Sequence, residues 1–440
     1  MKRLILLLTM LLTPILLPSP LFAQQWTATW TGSAHGPYPI GNPTGQLELK
    51  YALPAPEQGA KDQTFRLIVR PDAWGQQTRI RLSNAFGTQP VTFDAAYVGL
   101  QESGSAIVAG TNRPALFKGQ KTVSVAPGDS VVSDPVVLPF VKSPSDPLLR
   151  GRKLSVSFHV VGDSGPMTWH AKAVTTSYVT APGAGSKGQG EDEGAFSFSA
   201  ASWYFLDEVD MLMANPAKVI VAFGDSITDG TGSTINGDDR WPDVLSRRLH
   251  AAYGDSFVVV NQGIGGNQVV GPPEYTPAKP FAGGPSALSR LDRDIASLPG
   301  VSTVIWLEGI NDFGAADATA EAVIEGYTKG VAELRKRISG IRIFVATLPT
   351  ALNSPAGTYG RAEVDAKRKA LNQFIRSTKI FDGIVDFDGV TLDSATGEVK
   401  LQYQPSSSVG GPGDKLHPNR AGYAAMANAI DLGAITGRAK

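Results

Sequence analysis

Between residues 219 and 387 the chain repeats one pattern. Short, uninterrupted apolar runs at 219–223, 257–261, 303–308, 341–348 and 383–387 alternate with stretches of helical period at 241–252, 286–297, 319–339 and 361–377, and a last one follows at 419–432. A strand that is apolar on both sides needs cover on both sides, and helices returning between parallel strands provide it. The repeat predicts an open three-layer α/β fold around a parallel sheet. Ligands of such sheets bind beyond the carboxyl ends of the strands, which directs attention to the polar and glycine-rich segments that follow the first three runs.

The preceding region has a different texture. Residues 64–69, 78–82, 91–98 and 154–160 alternate apolar with polar side chains and are separated by Gly, Pro, Asn and Asp. This predicts antiparallel strands of a β-sandwich or jelly-roll-like domain. A Gly- and Ser-rich stretch at 181–199 reads as a loop, and Asn215-Pro216 as a border. Two domains suit 440 residues, a length at which one core stops growing. The expected division is 24–215 for the β region and 216–440 for the α/β region.

Residues 1–23 have the form of a secretory signal peptide: Lys2 and Arg3, an apolar run over 4–17, then Pro18, Pro20 and Ala23 before a mature start at Gln24. Pro14, Pro18 and Pro20 interrupt a run already short for a membrane span. Export to periplasm or medium is the expectation, with no stable membrane anchor. The absence of cysteine removes disulfides, thiolate nucleophiles and thiolate metal sites. Forty basic residues balance forty acidic ones, so nothing marks a nucleic acid as partner and a neutral substrate fits better.

Four segments carry chemistry. The first apolar run ends in Gly224-Asp225-Ser226, a tight turn that would present a hydroxyl at the sheet edge. A hydroxyl is a poor nucleophile at neutral pH and needs a base within reach, itself oriented by a carboxylate. Of five histidines, His417 is the best base. It lies in Asp414-Lys415-Leu416-His417-Pro418, where three-residue spacing lets one turn carry both groups. His35, His159 and His250 read as structural, whereas His170 could approach the site from the β region. Acyl transfer places negative charge on the former carbonyl oxygen, and donors for it are available after the second and third runs. These are the backbone amides of the Gly265-Gly266 turn and the side-chain amide of Asn311 in Gly309-Ile310-Asn311-Asp312.

Taken in order, Gly224-Asp225-Ser226, Gly266, Gly309-Ile310-Asn311-Asp312 and Asp414 to Pro418 resemble the four blocks of the SGNH (GDSL) hydrolase family, over about 219–432. Arg240-Trp241-Pro242-Asp243 and Ala421 to Met426 look like the acylhydrolase and arylesterase subfamily associated with xylan-degradation clusters. The resemblance implies a flavodoxin-like three-layer hydrolase domain that works without cofactor or metal. It implies Ser226 as nucleophile, His417 as base and then acid, and Asp414 as orienting carboxylate. The oxyanion hole would comprise the Ser226 and Gly266 amides and Asn311. Many relatives have serine where Gly265 stands, so either glycine amide could face inward. Asp225 and Asp312 are expected to support the turns from behind. Asp386 and Asp388 are weaker rivals of Asp414.

The implied activity is hydrolysis of carboxylic esters through an acyl-enzyme, with acylated plant-type carbohydrate as the leading substrate. Alternatives are a broad arylesterase or lysophospholipase-like enzyme, acyl transfer to a sugar, and an inactive glycan-binding protein using Trp26, Trp30, Trp74 or Trp169. The loop 271–285, with Tyr275 and Phe281, is expected to shape the acyl pocket.

Overall fold

The computed structural model describes residues 24–44 and 49–438, and the expected signal peptide lies outside them. Five strands, β1 (Lys218–Gly224), β2 (Phe257–Gly263), β3 (Val301–Leu307), β4 (Arg342–Ala346) and β5 (Gly383–Val385), form an all-parallel sheet. Its order is β2-β1-β3-β4-β5. That order reverses direction at β1, which creates a crevice at its carboxyl end between β2 and β3. Register makes the crevice specific: Gly224 lies opposite Gly263 on one side and Leu307 on the other, so the segments leaving β1, β2 and β3 start level. A Cβ on Gly224 would sit 2.1 Å from the Leu307 carbonyl oxygen, and this close approach is what requires glycine there.

The helices α1 (Trp241–Tyr253), α2 (Ala320–Arg337), α3 (Ala362–Ser377) and α4 (Arg420–Asn428) lie close to their expected positions. Thr319 and Asn419 cap α2 and α4 with their side-chain oxygens. Three elements differ from expectation, each for a local reason. The segment 286–297 is α-helical over Ala287–Leu291 and widens to a π-helix over Asp292–Ala296, where Arg290 and Arg293 both bond Asp294. The last helix stops at Asn428 because Arg248 takes the carbonyl oxygens of Ala427 and Ile430, and it resumes at Leu432 under an Asp431 cap. The fifth apolar run leaves the sheet after Val385, where Asp386 caps a short helix, Phe387–Thr391.

Ahead of this layer, the described residues from Gln25 to Met213 form three antiparallel sheets. One is ordered Gln25–Thr31, Leu206–Met213, Gln77–Ser83, Ser130–Val132, and a second is built around Lys61–Val69, Leu154–Asp163 and Val91–Leu100. A third, small sheet joins Gly36–Pro37, Thr168–His170 and Trp203–Tyr204. Phe65, Phe93, Phe158 and Phe205 meet in a buried aromatic cluster. Trp30, Trp74 and Trp169 are at most 7% exposed, so they pack the interior and are not free to stack on a sugar. Trp26 is half-buried, with the Arg79 guanidinium 4.6 Å from its ring centre.

The β region packs on the β2 edge of the parallel sheet. The Thr31 hydroxyl donates to the Asn261 carbonyl (3.0 Å), the Val259 amide donates to Asp72 (2.7 Å), and Arg70 pairs with Asp243 (2.9 Å). These contacts bring the loops after His170 to the mouth of the crevice.

Candidate active site

The chain leaves β1 through Asp225, whose carboxylate accepts the Ile227 amide (2.9 Å) and caps the single turn Ser226–Asp229. Ser226 is 7% exposed, and its hydroxyl donates to His417 Nε2 over 2.7 Å. His417 Nδ1 donates in turn to Asp414 Oδ2 (2.6 Å). The other carboxylate oxygen of Asp414 accepts the backbone amides of Leu416 (3.0 Å) and His417 (2.8 Å), so one turn fixes both side chains. Burial works against the Asp414 charge, but the His417 ring and these two amides outweigh it and hold the carboxyl well below its usual range. An ionised Asp414 keeps the proton on Nδ1 and leaves Nε2 free to accept from Ser226.

Asp386 and Asp388 face elsewhere. Asp386 bonds Thr347 and Arg376, and Asp388 bonds Arg368 and Arg376. The hydrogen bond to His417 belongs to Asp414.

The segment after β2 separates the two candidate glycine amides. The Gly265 amide donates to Asp229 Oδ2 (3.0 Å), whereas no such bond commits the Gly266 amide among the described residues. Gly266 has φ +86°, a conformation that favours glycine. After β3, Asn311 Nδ2 donates to the Asn267 carbonyl (2.8 Å), and Asn311 Oδ1 accepts from the Tyr359 hydroxyl (2.8 Å). With the oxygen engaged by Tyr359, the amide is held one way round and its second N–H remains to serve a ligand. Asp312 accepts the amides of Val269 (2.9 Å) and Val270 (3.1 Å), a supporting place like that of Asp225.

Behind this arc lies a buried polar layer. Arg290, fully buried, donates to the carbonyls of Gly224 and Gln262 (2.8 Å each) and to Asn267 Oδ1 (2.8 Å), tying the ends of β1 and β2 to the turn. Burial pushes three carboxyls up: Asp225 to about 7, Glu308 to about 8 and Asp312 to about 6. Their mutual proximity adds to the rise in Asp225 and Glu308, and Arg290 opposes it in both.

His170 reaches the site across the contact between the two regions. Its Nδ1 faces the Ser33 carbonyl (2.8 Å), and its Nε2 faces the Lys172 carbonyl (3.0 Å) and Asp229 Oδ1 (3.1 Å). Only acceptors surround the ring, so both nitrogens carry hydrogen. Burial opposes that charge, but Asp229 outweighs it and the pKa is raised. His170 thereby buttresses Asp229, which holds the Gly265 amide.

A cavity of about 410 Å³ opens over His417 and Asp414. Its walls come from the turn 230–232, the loop 406–413, and Thr44, Lys172 and Val174 of the β region. The loop 271–285 does not line this cavity. That loop packs inward instead: Asn267 Nδ2 donates to the Gly283 and Pro285 carbonyls, and the Tyr275 hydroxyl donates to the His35 carbonyl (2.8 Å).

Sequence reading missed Tyr359, Asp229, Arg290 and Lys172. Arg290 and Asp294 left a trace, as charges that recur beside Leu291 and Ile295 on an otherwise apolar helical face. Tyr359 lies in an irregular loop and left none.

Residues 222–425 match the model of the GDSL-like lipase/acylhydrolase family. No curated protein matches the chain. Among solved structures, a putative arylesterase from Agrobacterium tumefaciens str. C58 is similar at 22% identity, covering 48% of this chain and 95% of its own, with a TM-score of 0.36. A carbohydrate acetylesterase, Est24 from Sinorhizobium meliloti, is similar at 17% identity, covering 48% and 96%, with a TM-score of 0.36. A family two carbohydrate esterase from Clostridium thermocellum, solved with cellohexaose, is similar at 13% identity, covering 84% and 90%, with a TM-score of 0.33. A hydroxyl, imidazole and carboxylate in series, inside the segment that matches this family model, place residues 222–425 among the GDSL-like (SGNH) hydrolases and make the chain a serine ester hydrolase.

Proposed function

We propose that the chain is an exported esterase that removes short acyl groups, acetate foremost, from carbohydrate, with Ser226, His417 and Asp414 as its catalytic triad. The observation that carries this reading is the bonded series from the Ser226 hydroxyl through His417 to Asp414, the last two of which line an open cavity. Ser226 Oγ attacks the ester carbonyl while His417 Nε2 takes its proton. The amides of Ser226 and Gly266 and the Asn311 side chain receive the oxyanion. On collapse, His417 protonates the departing alcohol, leaving an acyl-Ser226. Water, deprotonated by the same nitrogen, then attacks that ester, and the acid leaves. Asp414 stays ionised throughout and stabilises the imidazolium.

A polar alcohol portion suits the cavity wall. Serine, threonine, glycine and proline dominate it, and among the described residues Val174 and Val409 are its only aliphatic side chains larger than alanine or proline. Export is supported by the signal-peptide pattern of residues 1–23.

The test is acetate release from acetylated xylan by the mature protein and by Ser226→Ala, run beside aryl esters of increasing acyl length. Ser226-dependent acetate release supports the reading. Aryl-ester turnover without it keeps the mechanism and replaces the substrate. If neither protein cleaves any ester, the glycan-binding alternative takes over. A mature mass beginning at Gln24, from protein recovered outside the cytoplasm, tests export.

A further inference from the structure

The cavity over His417 has an asymmetry that the reaction itself does not use. Its anionic wall residue, Asp414, is fully occupied by the His417 ring and two amides. Its cation, Lys172, is not so occupied. The Lys172 ammonium donates to the Thr231 hydroxyl (2.9 Å), and it has no ion-pair partner among the described residues. An ammonium has three hydrogens to place, and Thr231 takes one of them, which leaves two for a ligand or water. The other nearby acid, Asp229, is held by His170 and by the Gly265 amide. Lys172 is thus a half-buried cation that senses two carboxylates without bonding either. Burial lowers its pKa, and the fields of Asp229 and Asp414 oppose the fall.

The cavity also has a side. It is bounded by His417 and the turn 230–232, and includes neither Gly266 nor Asn311, the donors set for the oxyanion. His417 Nε2 is where the departing alcohol collects its proton, so this volume accommodates the alcohol portion of the ester.

We propose that Lys172 forms an anion-recognising subsite for the alcohol portion, so that the preferred esters are those of a carboxylate-bearing alcohol, an acylated uronic acid residue. This rests on the carbohydrate reading above and names the sugar class within it. The carboxylate replaces water on the ammonium in a partly desolvated wall, where a charge-assisted hydrogen bond is stronger than a neutral one. The cation comes from the β region, which gives that region a part in specificity.

The experiment compares two acetylated methyl glycosides on the full mature chain: a uronate, and the matching uronamide that differs only in charge. Acetate release gives kcat/KM for each. The expected preference for the uronate is about tenfold or more, the size of one charge-assisted hydrogen bond, and rising salt should erode it. Lys172→Met should bring the ratio of the two values close to one, with the change in the uronate KM, and Lys172→Arg should keep most of it. Reading a ratio removes any general damage from the substitution. A wild-type ratio near one, or a ratio unchanged in Lys172→Met, overturns the subsite and leaves the carbohydrate reading intact. Phenyl acetate turnover with neither sugar cleaved overturns both.

Discussion

Removing one hydroxyl remote from the triad should slow the enzyme through Asn311. Tyr359 donates to Asn311 Oδ1 at 2.8 Å, while Asn311 Nδ2 donates to Asn267 at 2.8 Å. In Tyr359→Phe the ring remains against Gly314, where a Cβ would come within 2.2 Å of it, so packing is kept and one donor is lost. Asn311 is 3% exposed, and its oxygen is then left without a partner. A flip costs the bond to Asn267 and sets that oxygen against the Asn267 carbonyl, but the bond from Tyr359 no longer opposes it. The two arrangements therefore differ by less than before, by roughly 1 kcal/mol, the net value of one hydrogen bond. That corresponds to a loss of about fivefold in kcat at 1.36 kcal/mol per decade, with KM little changed. Asn311→Ala removes the donor altogether and should cost about 10²–10³ in kcat. If Tyr359 acts by holding Asn311, the double variant Asn311→Ala/Tyr359→Phe is no slower than Asn311→Ala alone. Steady-state kinetics of the four proteins on an aryl acetate decides it. A fivefold loss that persists in the Asn311→Ala background refutes the reasoning.

Asp414→Asn should keep the fold and lower kcat by roughly 10⁴, because the amide no longer selects the His417 tautomer; equal kcat in the two proteins would exclude Asp414 from the triad. Gly224→Ala places a methyl 2.1 Å from the Leu307 carbonyl oxygen and should destabilise by about 2–3 kcal/mol, read from the denaturant midpoint. His170 is raised in the folded protein, so its contribution to stability is fully present below the unfolded value of about 6.5 and is lost as pH rises through the folded value. The stability gap between wild type and His170→Gln should then narrow by up to about 1.4 kcal/mol per pH unit across that window. A gap constant with pH would show that His170 does not hold its proton through Asp229.

The site was legible where chemistry is local in the chain. Asp414 and His417 share one turn, so their relation follows from three-residue spacing. Gly224, at the end of an apolar run, marks the close strand approach whose geometry the sheet register then reveals. The competing carboxylates Asp386 and Asp388 could be separated from Asp414 only in space, because their bonds to Arg368 and Arg376 depend on how α3 packs beside the end of β5. The choice between Gly265 and Gly266 was likewise closed to sequence. It turns on Asp229, which accepts the Gly265 amide, and on His170, which comes from the other region.

The sequence by itself determined the parallel layer, the β-rich region before it, and the residue types needed for acyl transfer, because periodicity and turn chemistry are properties of neighbouring residues. Tertiary structure alone decided which amide is committed, which way Asn311 faces, what the loop 271–285 packs on, and that Lys172 stands in the cavity wall. Each of these depends on a pairing between segments that are far apart along the chain. A hydrogen bond of that kind leaves no period and no spacing to read.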